Sequence, residues 1–201
     1  MKVHHIPNTR SVRVVWLLEE LGLDYEVEKY ELNPKSLRTE AYTKIHPMNR
    51  VPALEDGDVT MFESGAIIQY VLAKYGDGRL QPAQDSAAFP KFLQWFHYCE
   101  GMLMPPVNTI VVQTILLPEE RRDPAVLAQA RKLLTRMLNA VEGELQAQDY
   151  LAGEFSAADI MSGQACIVAE RLGADISDKP SVAAYIARLS SRPALQRAFA
   201  V

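Results

Sequence analysis

Residues 45–54, with the sequence IHPMNRVPAL, constrain the fold most strongly, because a polar, turn-prone loop leads there into a proline that opens an apolar strand. Proline cannot donate a ladder hydrogen bond, so Pro52 belongs at a bend or an exposed sheet edge. A cis Val51–Pro52 bond would let Val51 turn its backbone N–H and C=O outward to pair with an extended peptide. Cis is the minority form of such bonds, about 5–6% in folded proteins. Spacing alone therefore favours trans, and the segments that follow raise the expectation of cis.

A hairpin follows at once. Residues 53–55 and 59–62 are strand-like and flank Asp56-Gly57-Asp58, whose Asp-Gly pair is a strong turn signal. Glu63-Ser64 then opens an apolar run with helical spacing, and Ser64 is expected to cap that helix. A helix N-terminus with a hydroxyl and unpaired N–H groups binds carboxylates well. A peptide-binding edge and an anion site are therefore predicted one hairpin apart.

Composition excludes several classes of protein. The 201 residues are 48% hydrophobic and 23% charged, which is ample for a buried core. A net charge of −4 provides no basic stripe for nucleic acid, and no apolar run is long enough for a membrane span. The N-terminus lacks a signal-peptide pattern, and Cys99 and Cys166 are expected to be buried free thiols. We therefore expect a cytoplasmic protein without a metal ion, a nucleic-acid partner or a membrane partner.

The first part of the chain predicts a βαβ–ββα unit with a mixed four-stranded sheet, because the crossover implies a parallel strand pair and the hairpin adds an antiparallel one. Gly22 is expected to stop the first helix, and Asn33-Pro34 to end the second strand. The expected elements are strands at 2–6, 25–32, from Pro52 and at 59–62, and helices at 11–22, 36–41 (short and irregular) and 64–75.

Residues 76–82 are turn-rich and mark a boundary, after which we find no convincing strand signal. The remainder predicts helices only. Ser156 and Asp159 fit a capping box, and Pro105-Pro106 is expected to kink or end the first of these helices. The expected helices cover 87–104, 124–148 and 160–172, with two more starting at Pro180 and Pro193. We therefore predict two domains, 1–79 and 85–201.

Several motifs occur in an order that resembles the glutathione S-transferase family, in particular a bacterial and fungal subgroup, and the resemblance extends over the whole chain. The motifs are His4-His5, RSVRVVWLLEELG at 10–22, IHP at 45–47, Val51-Pro52 and ESGAII at 63–68. The resemblance implies an α/β plus all-α fold: an N-terminal thioredoxin-like domain with a mixed four-stranded sheet, followed by a C-terminal helical bundle domain.

The resemblance also implies the activity. Such an enzyme conjugates the thiolate of glutathione, its co-substrate, to small hydrophobic electrophiles, and works as a homodimer. Met102, Met104, Val107 and Val111 would line the electrophile pocket, although core packing is the favoured explanation for each of them individually. His97 and Glu100 lie on the same helix. A glutathione-dependent peroxidase or isomerase, or a non-catalytic binding protein of the same fold, are the alternatives.

The catalytic group of the family lies near the turn between the first strand and the first helix. No tyrosine precedes Tyr25 and no cysteine precedes Cys99, so a tyrosine-type or cysteine-type mechanism is not expected. Aligning the helix places Asn8 or Thr9 where many serine-type relatives carry their serine. Ser11 is the turn's own serine, and an ordinary helix cap is its alternative role. We prefer Ser11 as the residue whose hydroxyl donates a hydrogen bond to the glutathione thiolate, with Asn8 and Thr9 as alternatives.

The resemblance assigns the glutathione-binding residues as well. The backbone of Val51, held by Pro52, would bind the cysteinyl part, with Arg50 near the glycyl carboxylate. Glu63 would bind the γ-glutamyl ammonium and Ser64 its carboxylate. A solvated loop cation is the alternative role for Arg50, and a plain helix cap for Ser64. Arg38 is a further candidate for the glycyl end, with a surface charge as the simpler explanation, and His46 is expected to serve packing.

Overall fold

The computed structural model describes residues 1–33 and 35–201. Pro34, part of the predicted end of the second strand, lies outside the described residues. The chain divides into two compact units, Met1–Leu80 together with Ser190–Val201, and Gln81–Leu189. The domain boundaries 1–79 and 85–201 stay a prediction, which limited proteolysis would test.

The first unit contains a mixed four-stranded sheet, as the sequence predicts. Its strands are β1 (Lys2–His5), β2 (Glu26–Lys29), β3 (Ala53–Asp56) and β4 (Val59–Phe62), in the order β2-β1-β3-β4. β1 and β2 are parallel, whereas β3 is antiparallel to both β1 and β4. The Asp-Gly hairpin is confirmed, and Gly57 at its turn has a φ of 60°, a left-handed conformation that glycine adopts without steric cost.

Among its described residues this unit has the helices α1 (Ser11–Leu21), α2 (Glu40–Ile45), α3 (Ser64–Tyr75) and, from the C-terminal part, α9 (Pro193–Ala200). Gly22 ends α1 with a φ of 65°, as predicted. The helix expected at 36–41 is wrong by about one turn. Its start is set by Thr39, whose hydroxyl accepts a hydrogen bond from Tyr42 N–H at 3.1 Å, and Tyr42 buries its ring in the core.

The predicted capping role of Ser64 is also wrong. Ser64 is the first helical residue of α3, and Glu63 holds the N-cap position with a φ of 75°. The Ser64 hydroxyl instead accepts a hydrogen bond from Arg13 Nη1 at 3.2 Å. Ser64 therefore joins α3 to the buried side of α1.

The second unit is helical, with α4 (Phe89–Tyr98), α5 (Met104–Val111), α6 (Pro124–Leu145), α7 (Gln164–Arg171) and α8, which begins at Pro180 and ends at Ser190. The helical run continues through Pro105-Pro106, because the π-helical segment Cys99–Leu103 leads directly into α5, whose first turn contains both prolines. The prolines therefore do not end the run, and the other expected effect, a kink, stays a prediction. Together with the mixed sheet, these helices confirm the predicted fold class.

The capping role predicted for Asp159 is confirmed, whereas the Ser156 hydroxyl bonds to the Asp159 carboxylate rather than to a backbone N–H. Asp159 is fully buried, and its carboxylate accepts hydrogen bonds from the backbone N–H groups of Leu151 and Ser156, both at 2.9 Å. Tyr185 donates a further hydrogen bond at 2.7 Å. Burial raises the pKa of the Asp159 carboxyl despite these donors. None of the described helices has the length and apolar character needed to cross a membrane.

Candidate functional site

The predicted site residues of the first unit converge at one end of the sheet. The register pairs His4 with Ala53 and Ala53 with Phe62. Continuing it past these pairs brings the turn after β1, the residues before β3 and the residues after β4 to the same edge. Val51 and Ser64, distant in sequence, therefore lie at neighbouring ends of paired strands.

Ser11 lies beneath this edge rather than on it. Its side chain is fully buried, and its hydroxyl lies 2.9 Å from His5 Nδ1 and 3.1 Å from the Ile6 carbonyl oxygen. It also accepts a hydrogen bond from Ile6 N–H at 3.2 Å and contacts Thr9 Oγ1 at 2.9 Å. Ser11 thus fastens the turn internally; it is the first helical residue of α1 and not the helix cap considered above, since Arg10 holds the N-cap position without a side-chain cap bond.

Asn8 and Thr9 lie closer to solvent. Asn8 is exposed and has a φ of 62°, a left-handed conformation that asparagine tolerates better than most residues. Thr9 is half-buried, and its hydroxyl donates to the Ile6 carbonyl oxygen at 2.7 Å. Of the three candidate donors, Asn8 is the one whose polar side chain is exposed.

His5 belongs to the His4-His5 motif named above, and no role in the site was assigned to it from the sequence. It is fully buried, and burial together with the positive charge of Lys29 lowers the pKa of its imidazole to about 4. His5 is therefore neutral at pH 7, with Nδ1 turned to Ser11 and Nε2 buried without a hydrogen-bond partner among the described residues. A neutral imidazole next to the turn adds no positive charge there.

The loop before β3 presents Val51 as the sequence predicts. The Val51–Pro52 peptide bond is cis, and Pro52 is buried. In the described part of the chain, neither Val51 N–H nor Val51 C=O takes part in a hydrogen bond. The strand edge at Val51 therefore has one donor and one acceptor available for an incoming backbone.

Side chains from α2 and the loop itself hold this loop in place. The Tyr42 hydroxyl donates to the Arg50 carbonyl oxygen at 2.7 Å, and Thr43 Oγ1 donates to Asn49 Oδ1 at 2.9 Å. His46 is buried, accepts a hydrogen bond from Met48 N–H at Nδ1, and packs its ring 4.4 Å from that of Phe62. The packing role predicted for His46 is confirmed.

Glu63 and Arg50 both influence the pKa of the His46 imidazole. Burial is the main cause of the lowered pKa of His46; the Glu63 carboxylate opposes it and the Arg50 guanidinium adds to it. Both charges therefore lie near one buried imidazole. Glu63 is exposed, and its φ of 75° is a strained conformation of the kind that clusters at ligand-binding positions.

A groove of about 480 Å³ adjoins Arg50 within the first unit. Arg38 and Arg50 are its two charged side chains, and both are exposed. The other residues of its lining are Asn33, Leu37, Pro47, Met48 and Asn49. Two guanidinium groups without a carboxylate in the lining favour an anionic ligand.

The four residues expected to form an apolar pocket wall in the second unit differ in their exposure. Met104 and Val107 are buried in its core, whereas Met102 is 42% exposed and Val111 is half-buried. His97 is exposed and Glu100 half-buried. In the described ranges no group of three or more His, Cys, Asp or Glu side chains could hold a metal ion.

The sequence matches family models in both units. The model described as "Glutathione S-transferase, N-terminal domain" matches residues 1–73, and "Glutathione S-transferase, C-terminal domain" matches residues 103–193. Glutathione S-transferase 3 of Schizosaccharomyces pombe is 30% identical over 96% of this chain and 84% of its own length. Glutathione S-transferase 4 of Zea mays is 32% identical over 92% of this chain and 85% of its own length.

The solved structures that resemble this chain are also glutathione transferases. A glutathione transferase from Pseudomonas putida, crystallised with one glutathione disulfide per subunit, has a TM-score of 0.89 and 26% identity over 100% of this chain and 90% of its own. A glutathione transferase from Phanerochaete chrysosporium shares the fold, with a TM-score of 0.89 at 24% identity, over 99% of this chain and 93% of its own. Relatives and structures that cover nearly the full length lead to one conclusion: the chain belongs to the glutathione S-transferase family.

Proposed function

We propose that this protein binds glutathione along the Val51 edge and conjugates it through its thiolate sulfur to small hydrophobic electrophiles. The thiol proton is released when the thiolate forms; the sulfur then bonds to an electrophilic carbon, and the electron pair of the bond that breaks there leaves with a leaving group or moves onto a conjugated acceptor. The single observation that carries the proposal is Val51 itself, whose N–H and C=O are unpaired among the described residues beside a cis-proline strand. An extended peptide is the ligand that satisfies both groups at once.

The two carboxylates of glutathione have separate places on the same edge. The γ-glutamyl carboxylate would bind the Ser64 hydroxyl and the N-terminal N–H groups of α3, with the buried guanidinium of Arg13 behind them. The Glu63 carboxylate would bind the neighbouring ammonium. The glycyl carboxylate would lie in the groove between Arg38 and Arg50.

The thiol would lie at the turn after β1, where we propose Asn8 as the donor that stabilises the thiolate. Asn8 is exposed to solvent at this turn, whereas Thr9 is half-buried and Ser11 fully buried. The enzyme is then of a type that uses neither tyrosine nor cysteine. Tyr42 fits this reading, because its hydroxyl is bonded to Arg50 and burial raises its pKa.

We also propose that the enzyme is a cytoplasmic homodimer. Met48 and Phe62 support the dimer, because they are 65% and 37% exposed on the first unit and offer apolar surface to a second copy. The buried free thiols of Cys99 and Cys166 support a reducing compartment. Sedimentation of the wild type and of Met48→Ser would test the dimer.

The decisive experiment is an ultraviolet titration of enzyme-bound glutathione from about pH 5 to 9, a range that includes the ordinary thiol pKa of about 8.5. A thiolate band appearing well below that pKa supports the transferase, and a panel of electrophiles then defines its substrates. Hydroperoxides in the same panel distinguish a peroxidase. Binding without a lowered thiol pKa would indicate a glutathione-carrying protein, and absence of binding would contradict the proposal.

A further inference from the structure

Tyr42 is the side chain that connects the core of the first unit to the peptide group preceding Val51. Its ring is 2% exposed and packs against the rings of His4 and Tyr30 at centroid distances of 5.4 and 5.0 Å. Ile6 and Leu37 complete this cluster. The ring is therefore fixed by packing from several sides, and its hydroxyl has a defined position.

That hydroxyl donates to the carbonyl oxygen of Arg50 at 2.7 Å. Arg50 C=O and Val51 N–H belong to one peptide group, and this group is trans, since the cis bond follows Val51. In a trans peptide the C=O and N–H bonds point in opposite directions. The Tyr42 hydroxyl draws the oxygen towards the core, and the Val51 N–H consequently points away from it.

Resting on the proposed function, we propose that Tyr42 is a positioning residue for glutathione: by holding the Arg50 carbonyl it fixes the direction of the Val51 N–H that receives the peptide. Without this bond, the Arg50–Val51 peptide group would be held only by the backbone on either side. Pro52 restrains its own φ angle and limits the backbone of Val51, but it provides no partner for the Arg50 carbonyl oxygen. Ligand binding would then have to order a group that Tyr42 orders in advance, and such ordering weakens affinity.

A second contact from α2 acts on the same loop. Thr43 Oγ1 donates to Asn49 Oδ1 at 2.9 Å, and Asn49 has a φ of 52°, a conformation that is unfavourable for most residues. Consecutive residues of α2 thus hold two consecutive parts of the loop, the Asn49 side chain and the Arg50 carbonyl. The short helix α2 thus supports the binding edge through these two hydroxyls.

Tyr42→Phe tests the proposal, because phenylalanine keeps the packed ring and removes only the donor. Tyr70→Phe is the matched control: its hydroxyl donates to Asp56, which keeps the hydroxyl of Tyr75 and the ammonium of Lys74 as partners. Dissociation constants for glutathione and for S-methylglutathione are measured by calorimetry for both variants and the wild type. The S-methyl compound lacks the thiol and reports on recognition of the peptide part alone.

We expect Tyr42→Phe to weaken both ligands by about fivefold, the equilibrium effect of one net hydrogen bond. The KM for glutathione should rise by a similar factor, while kcat at saturating glutathione and the pKa of the bound thiol stay at the wild-type values. If Tyr42 had only a structural role, Tyr42→Phe would lower the stability of the protein without raising KM selectively while kcat stays unchanged. Equal affinities for Tyr42→Phe and Tyr70→Phe would overturn the proposal.

A measurement on the wild type remains decisive should Tyr42→Phe fail to fold. Amide hydrogen exchange at Val51, followed by NMR, should slow when glutathione binds, because the N–H gains an acceptor. Unchanged exchange in a saturated complex would overturn the proposed direction of this group while leaving glutathione binding intact. If the wild type fails to bind glutathione at all, the proposed function fails first, so the two failures are distinguishable.

Discussion

Ser11 Oγ and His5 Nδ1 lie 2.9 Å apart, and both side chains are fully buried. This contact ties the start of α1 to the end of β1 and fixes the turn between them. Asn8 lies in the same turn and is exposed to solvent. The turn therefore contains one buried serine and one exposed asparagine.

The first prediction distinguishes these two residues. Asn8→Ala should raise the pKa of the bound glutathione thiol, because the thiolate loses its donor. Ser11→Ala should lower the free energy of unfolding by about 1–3 kcal/mol, because buried polar groups lose a partner. The measurements are thiolate absorbance against pH and urea denaturation. A raised thiol pKa in Ser11→Ala alone would restore Ser11 as the donor, and Thr9→Val tests the remaining hydroxyl.

The second prediction concerns the γ-glutamyl end of glutathione. Ser64→Ala should weaken glutathione binding by about 1.5–3 kcal/mol, the range for a hydrogen bond to a charged group. Isothermal calorimetry measures the affinity directly. Ser86→Ala is the control, because the Ser86 hydroxyl donates to Ala83 within the second unit. Equal affinities of the two variants would remove Ser64 from the site.

The third prediction is a pH dependence of stability set by His5. Its pKa of about 4 in the folded protein lies below the ordinary value near 6.5, so between these limits the unfolded chain binds more protons. Stability should therefore fall as the pH decreases from about 6.5 to about 4, by at most ~3 kcal/mol from this residue. Urea denaturation across this range measures it. His5→Gln should show a smaller decrease, and an identical slope would contradict the assignment.

The fourth prediction concerns α9. Leu195 is fully buried in this helix, and Leu195→Ala should destabilise the protein by about 2–4 kcal/mol through lost packing. Leu133→Ala, at a position that is 39% exposed, should change stability by less than about 0.5 kcal/mol. Thermal unfolding compares the two. Equal losses in both variants would show that α9 contributes little to the core.

Local signals predicted the elements that depend on local chemistry. Gly22, the Asp-Gly hairpin and the two helix-opening prolines at 180 and 193 each act within a few residues, and each is confirmed. The proline-led strand also gave the position of Val51. These features need no information from distant parts of the chain.

The remaining features depend on contacts between distant residues. The sequence pattern predicts an ordinary helix cap at Ser64, whereas in the structure its hydroxyl accepts a hydrogen bond from Arg13, which is distant in sequence. The start of α2 depends on the packing of the Tyr42 ring in the core. The contacts of Ser11 depend on the buried imidazole of His5. The sequence pattern contains the residue types for these contacts and no local signal for their pairing.

The association of α9 with α1 sets an order of events during synthesis. Arg192 forms two hydrogen bonds with the Glu20 carboxylate, at 2.7 and 2.9 Å, and Arg197 pairs with Glu19. Arg192 follows Glu20 by 172 residues, so α1 leaves the ribosome well before the helix that covers it. The unit that carries the Val51 edge is therefore completed only after the whole second unit, Gln81–Leu189, has been synthesised.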